Sequence, residues 1–255
     1  MKILGLGHSH IVAIAEGCYE LQHQGATIAG ARFCSRFIYL LDPAVTPTLL
    51  DSVDGQKINP RLEEIIAQED ADFGLLSIRG NEHIALSIAQ RFEPIDFFLR
   101  EENELPLAEG ATQLTEAAIR ETLRDKMAET IAILAALRGA TRMPLYCLAP
   151  PPPLPDCQIM AYPKEFFKKA IDAERLSPEI FRYKIWRVAC QLYREICAAQ
   201  NIIFVEVPSA FIATPGLLAR EAWGADATHA NLIFGKAMVE KVIGMLEAQR
   251  ESVAR

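Results

Sequence analysis

Short runs of apolar residues alternate with longer segments in which apolar positions recur every three to four residues. The runs are of strand length and fall at 2–6, 27–31, 73–78, 144–149 and 202–207. Helical spacing marks 11–22, 60–68, 83–91, 112–137, 178–200 and 230–248. The segment 112–137 carries Leu114, Ala118, Leu123, Met127, Ile131 and Leu134 at that spacing and reads as one long helix. Such alternation is the signature of βαβ units around a mostly parallel sheet, and five strands suit a three-layer, flavodoxin-like α/β fold. Two stretches fit poorly. One is 32–59; the other is 150–177, which opens on Pro150-Pro151-Pro152-Pro153-Leu154-Pro155, a stiff, extended run. The proline run reads either as a surface connector or as a wall or lid over a site, with Phe166, Phe167, Ile171 and Phe181 as apolar material for a lid.

Composition narrows the function classes. The chain has 255 residues, and 26 Lys and Arg stand against 33 Asp and Glu, a net charge of -7 without long blocks of one sign. That balance offers nothing to nucleic acid. Residues 1–255 read as a single domain, with the insertion or lid at 150–177. Cys18, Cys34, Cys147, Cys157, Cys190 and Cys197 form no CxxC pair and read as core residues or free thiols rather than a disulfide framework. The first apolar run is too short for a signal-peptide core and none could span a bilayer, so a cytoplasmic protein without membrane contact is expected.

Ligands of open α/β sheets bind beyond the carboxyl ends of the strands, so the residues just after each strand matter most. Gly7-His8-Ser9-His10 follows the first strand and Gly80-Asn81-Glu82-His83 the third, while Asp226-Ala227-Thr228-His229 precedes the last helix. A serine nucleophile needs a base to take its proton, and the base needs an acid to orient it. Ser9, His229 and Asp226 are of those three types. Each residue also has a plainer reading: Ser9 and Asp226 as helix caps, and Asn81 as a left-handed strand terminator.

Gly-x-Ser, Gly-x-Asn and Asp-x-x-His, in this order and at these places, resemble the conserved blocks of the SGNH (GDSL-like) hydrolase superfamily, and the resemblance runs over nearly the whole chain. It implies a serine esterase acting on a small acyl ester, such as an acetylated carbohydrate, with no cofactor. It further implies Ser9, Asp226 and His229 as the triad, and the Ser9 N–H and Asn81 side chain as oxyanion donors. A glycine after strand two usually adds a third donor, and Gly30 is the candidate. The chain departs from the blocks at His8, where the superfamily commonly has Asp, and at Glu82, again in an Asp place. His8, His10, Glu82 and His83 are expected beside the site.

Other readings compete. A metal site from His8, His10, Asp226 and His229 is conceivable from residue types, although no HExxH or comparable spacing occurs. The dinucleotide fingerprint fails, because His10 stands where the third glycine belongs. Ile11 likewise stands in the final glycine place of the α/β-hydrolase elbow. Acyl transfer on the same site, and a binding protein that has lost catalysis, remain as alternatives.

Overall fold

A computed structural model of the chain describes residues 1–43, 49–90, 93–162, 168 and 176–253. Its centre is a sheet of five strands: β1 (Lys2–Gly7), β2 (Cys34–Tyr39), β3 (Phe73–Ser77), β4 (Leu145–Leu148) and β5 (Ile203–Val205). The order is β2-β1-β3-β4-β5 and every pairing is parallel. This is the flavodoxin-like order, whose switch point lies between β1 and β3.

Alternation along the strands explains the layers. Ile3, Leu75, Tyr146 and Val205 are buried on one face with α1 (Ile11–His23) and α8 (Leu232–Val253). Leu4, Leu6, Leu76 and Cys147 are buried on the other. That second face carries α2 (Pro60–Glu69), α4 (Glu116–Lys126), α5 (Ala128–Ala140) and most of α7 (Glu179–Ala199). Two short helices among the described residues are α3 (Glu82–Ser87) and α6 (Asp156–Ala161). Cys18, Cys147, Cys190 and Cys197 are buried, and all six thiols are free.

The expected strand at 27–31 is instead a hairpin, in which Thr27 pairs with Arg32 and Ile28 with Ala31. Ala29 (φ 51°) and Gly30 (φ 76°) are both left-handed, the geometry of a two-residue turn that folds the run back on itself. Strand two lies a few residues on, at Cys34–Tyr39, in the stretch whose pattern fitted poorly. There only Ile38 is fully buried and polar residues interrupt the run, because β2 is an edge strand.

The long helix expected at 112–137 is three pieces. Thr112–Leu114 is extended and pairs in parallel with Ile95–Phe97. Thr115 then caps α4, its hydroxyl accepting from Ala118 N–H at 3.2 Å, and the chain bends at buried Met127 (φ −86°, ψ 3°) before α5. The insertion holding Ile95–Phe97 is fastened to α7 by a buried ion pair. Lys184 Nζ donates to both Asp96 carboxylate oxygens at 3.0 and 3.1 Å, and to the carbonyls of Phe97 and Pro106. Every ammonium proton thus has a partner, which is what a charge at this depth requires.

The proline run is no surface connector. Pro150 to Leu154 are buried, Trp186 Nε1 donates to Pro150 O at 3.0 Å, and Leu218 N donates to Pro153 O at 3.0 Å. Of the residues expected in a lid, Phe166, Phe167 and Ile171 lie outside the described residues. Phe181 sits in α7, edge-on to Phe97.

Helices α1 and α8 approach closely because a glycine faces a backbone from each side. A Cβ at Gly17 would strike the backbone of Gly235 and Lys236, and one at Gly235 would strike the Ala13 carbonyl. Gly244, also in α8, has nothing within 4 Å of where its Cβ would be. Gly235→Ala should therefore cost about 1–3 kcal/mol by overpacking, whereas Gly244→Ala should gain up to about 1 kcal/mol of helix propensity. Urea unfolding of the two variants reads this difference in sign, and equal gains from both would show that the crossing is not tight.

Candidate active site

The three sequence blocks converge at the carboxyl ends of β1 and β3. β1 ends at Gly7, and His8-Ser9-His10 turns at once into α1, with Ile11 N–H donating to His8 O at 2.9 Å. A Cβ at Gly7 would lie 2.5 Å from Ser77 O and 2.7 Å from Ile11 Cβ, so the turn is drawn hard against β3. α1 has no side-chain cap, and the half-buried Ser9 hydroxyl makes no hydrogen bond to any described residue. It is not used as a helix cap.

Beyond β3 the left-handed bend is made by Arg79 (φ 52°) and Gly80 (φ 85°), while Asn81 has φ −105°. Asn81 is therefore not the left-handed terminator. Glu82 holds this loop from below. Its buried carboxylate accepts from Gly80 N–H at 3.1 Å, from Tyr193 OH at 3.4 Å and from the Thr130 hydroxyl, and Arg79 Nε lies 3.7 Å away. The carboxylate serves the backbone that presents Asn81.

Asp226 and His229 sit in a turn before α8. Asp226 Oδ1 accepts from Thr228 N–H at 2.8 Å and from His229 N–H at 2.9 Å, while Oδ2 lies 2.7 Å from His229 Nδ1. Burial opposes ionisation of Asp226. The bonds from the His229 ring and the two N–H groups outweigh it and hold the carboxyl well below the ordinary carboxylate range. Asp226 does not cap α8: Asn231 Oδ1 accepts from Ile233 N–H at 2.8 Å instead.

His10 joins the blocks. Its Nε2 is 2.9 Å from Asn81 Oδ1, and its ring centroid is 4.7 Å from that of His229. To serve Asn81 Oδ1 the His10 Nε2 must carry a proton, and the Asn81 carbonyl is then taken, which leaves its NH2 edge for a ligand. A cavity of about 420 Å³ opens here, lined by His8, Ser9, Leu41, Arg79, Asn81, Glu82, Ala85 and Lys126.

Two expected neighbours lie elsewhere. Gly30 is exposed at the tip of the hairpin before β2, where Ala29 N–H meets Glu247 near the end of α8. It is on the wrong side of the strand to serve an oxyanion, because a donor must follow β2. Leu41, which lines the cavity, holds that place. His83 is fully buried, with neither ring nitrogen bonded to a described residue, and it lines no part of the cavity.

One ring nitrogen of each histidine at the site is engaged within the protein: His8 Nδ1 with Arg79 N–H, His10 Nε2 with Asn81, and His229 Nδ1 with Asp226. Among the described residues no cluster of three or more His, Cys, Asp or Glu is placed to hold a metal. No helix among them is long and apolar enough to cross a membrane.

No protein-family model matches the chain, and no curated protein sequence does either. Solved structures align with most of the chain at low identity. An acetyl xylan esterase from Geobacillus stearothermophilus is 15% identical with TM-score 0.39, and the match covers 96% of this chain and 94% of that one. A GDSL-like lipase from Bacteroides thetaiotaomicron is 11% identical with TM-score 0.41, covering 96% and 88%. The periplasmic domain of a Salmonella ser. Paratyphi A lipopolysaccharide acetyltransferase is 10% identical with TM-score 0.47, covering 96% and 83%. At these values the likeness says nothing of chemistry, which rests on this chain's own residues.

Burial holds two histidines neutral. His8 is lowered to about 4, by burial and then by the Arg79 charge, and His83 to about 3, by burial alone. In the unfolded chain both would titrate near ~6.5. Between those values the unfolded state binds more protons, so stability is full above the unfolded value and falls as the pH drops below it toward the folded ones. Denaturant midpoints at pH 7 and pH 5 should differ less in His83→Leu than in wild type. An undiminished difference would mean that His83 protonates freely in the folded protein.

Proposed function

We propose that the protein is a serine-dependent hydrolase of small acyl esters that works through an acyl-enzyme. One observation carries this reading: the oriented Asp226–His229 pair and Asn81 are both in contact with His10, the residue after Ser9. A carboxylate on Nδ1 sets the imidazole tautomer whose Nε2 lone pair can accept a proton. Ser9, the residue beside His10, carries a hydroxyl not used in the fold. A cavity of about 420 Å³ suits a small ester, within the roughly 300–1,000 Å³ common for small-molecule sites.

In this mechanism Ser9 Oγ attacks the ester carbonyl carbon while its proton passes to His229 Nε2. The carbonyl oxygen becomes an oxyanion, which accepts from Ser9 N–H and the Asn81 NH2. Collapse breaks the carbon–oxygen bond to the alcohol portion, and His229 returns the proton to the departing alkoxide. Water then repeats the sequence on acyl-Ser9, releasing the carboxylic acid and restoring the serine. Asp226 stays ionised throughout and stabilises the imidazolium. Where an alcohol replaces water in the second half, the outcome is acyl transfer, and product analysis with an added alcohol acceptor separates the two.

Turnover of an activated ester by Ser9→Ala, His229→Ala, Asp226→Asn and the Ser9→Ala/His229→Ala double variant tests the assignment. His229→Ala should fall near the background of Ser9→Ala, and the double variant should be scarcely worse than either, since residues acting as one unit are strongly non-additive. Asp226→Asn should keep more activity than both. A fluorophosphonate should add once, to Ser9 alone. A His229→Ala enzyme close to wild type would sink the triad whatever the labelling showed.

A further inference from the structure

With Gly30 out of reach, the oxyanion site of the preceding mechanism has Ser9 N–H and Asn81 as donors and lacks the third that the resemblance implied. His8 stands at the same corner. Its backbone N–H donates to Ser77 O at 3.0 Å, which presses the residue onto the end of β3. Its Nδ1 then accepts from Arg79 N–H at 3.1 Å, a bond made available because Arg79 takes the left-handed conformation (φ 52°). Any non-glycine residue with that φ carries a conformational cost, and here it turns a backbone donor onto an imidazole.

The consequence is a defined tautomer. A ring nitrogen that accepts has no proton, so the neutral ring carries its proton on Nε2. No described residue accepts that proton, and Nε2 is not sealed within the protein, so it opens onto the cavity that His8 lines together with Ser9 and Asn81. We infer that His8 is a catalytic hydrogen-bond donor of this chain, its Nε2–H serving the ester carbonyl oxygen as it becomes the oxyanion. This rests on the acyl-ester reading of the site. An ionised Asp, common at this position in the superfamily, has two acceptor oxygens and could not donate. The exchange to His therefore reverses the hydrogen-bonding sense of this corner. Neutrality suits the role, because a ring held down to about 4 remains the same donor throughout the neutral range.

The test joins ring-nitrogen NMR to kinetics. In the free protein the His8 ¹⁵N shifts should show a protonated Nε2 and a bare Nδ1. In the phosphonyl-Ser9 adduct, whose oxygen stands in for the oxyanion, the Nε2 resonance should move and its proton shift downfield. His8→Leu should lose about 10²- to 10³-fold in kcat, as removal of one oxyanion donor does, with KM little changed. His8→Gln, whose amide NH2 reaches the Nε2 position, should recover part of the loss. A proton on Nδ1, an Nε2 resonance indifferent to the adduct, or His8→Leu turnover within a few-fold of wild type would overturn the inference and leave the triad standing. Wild type that neither hydrolyses esters nor takes the phosphonate on Ser9 would overturn both.

Discussion

The close crossing of α1 and α8 is the contact on which the site depends. α1 begins one residue after His10 and α8 begins three residues after His229, so the distance between the two helix starts decides whether the Ser9 and His229 turns can meet. Gly17 and Gly235 set that distance, because each lies against the other helix's backbone with no room for a methyl group. Protein interiors are packed too densely to absorb an extra side chain there without movement. The same contact that buries Ile14, Cys18, Phe234 and Met238 thereby brings the Asp226 turn to His10.

Hydrogen-bond accounting does the finer positioning. Around the cavity the buried polar groups divide into acceptors already engaged within the protein and donors left facing the ligand. Glu82, the buried carboxylate here, is occupied by Gly80, Tyr193, Thr130 and Arg79. The Asn81 carbonyl is matched to His10 and the His8 Nδ1 to Arg79 N–H. What remains is donor edges, together with the cationic Lys126 on the lining. Such a surface favours a substrate whose charge becomes more negative as it reacts, because preorganised donors need not reorient when charge develops. Outside the site the same accounting governs Lys184, whose buried charge is tolerated because Asp96 and two carbonyls surround it.

Much of this was legible in residue order. Buried parallel strands read as near-continuous apolar runs, and the runs at β1, β3 and β4 stood out for that reason, while β5, at the opposite edge, stood out because Ile203, Phe204 and Val205 are all apolar. The edge strand β2 did not, since an edge strand keeps one side toward solvent and its polar residues break the run. Helical periodicity is blind to a capping threonine that delays a helix and to a bend at a buried residue, so Thr115 and Met127 divided a segment that looked continuous. Periodicity is equally blind to two successive left-handed residues, which is how Ala29 and Gly30 turned an apparent strand into a hairpin.

For the candidate site, local order was sufficient wherever partners lie within a few residues. Asp226 and His229, three apart, form their pair inside one turn, and the Gly7-His8-Ser9-His10 block is itself the end of a strand and the start of a helix. By itself, then, the sequence determined the α/β alternation, the parallel sheet and the residue types at its carboxyl edge. Only the tertiary structure decided which of those residues share a surface. His10 meets Asn81 and His229 across separations of 71 and 219 positions, Gly30 is carried to the far end of α8, and His83 turns into the core. The physical reason is range: a hydrogen bond within a turn is encoded by neighbouring residues, whereas contacts between distant loops follow from how closely whole helices pack, here through two glycines.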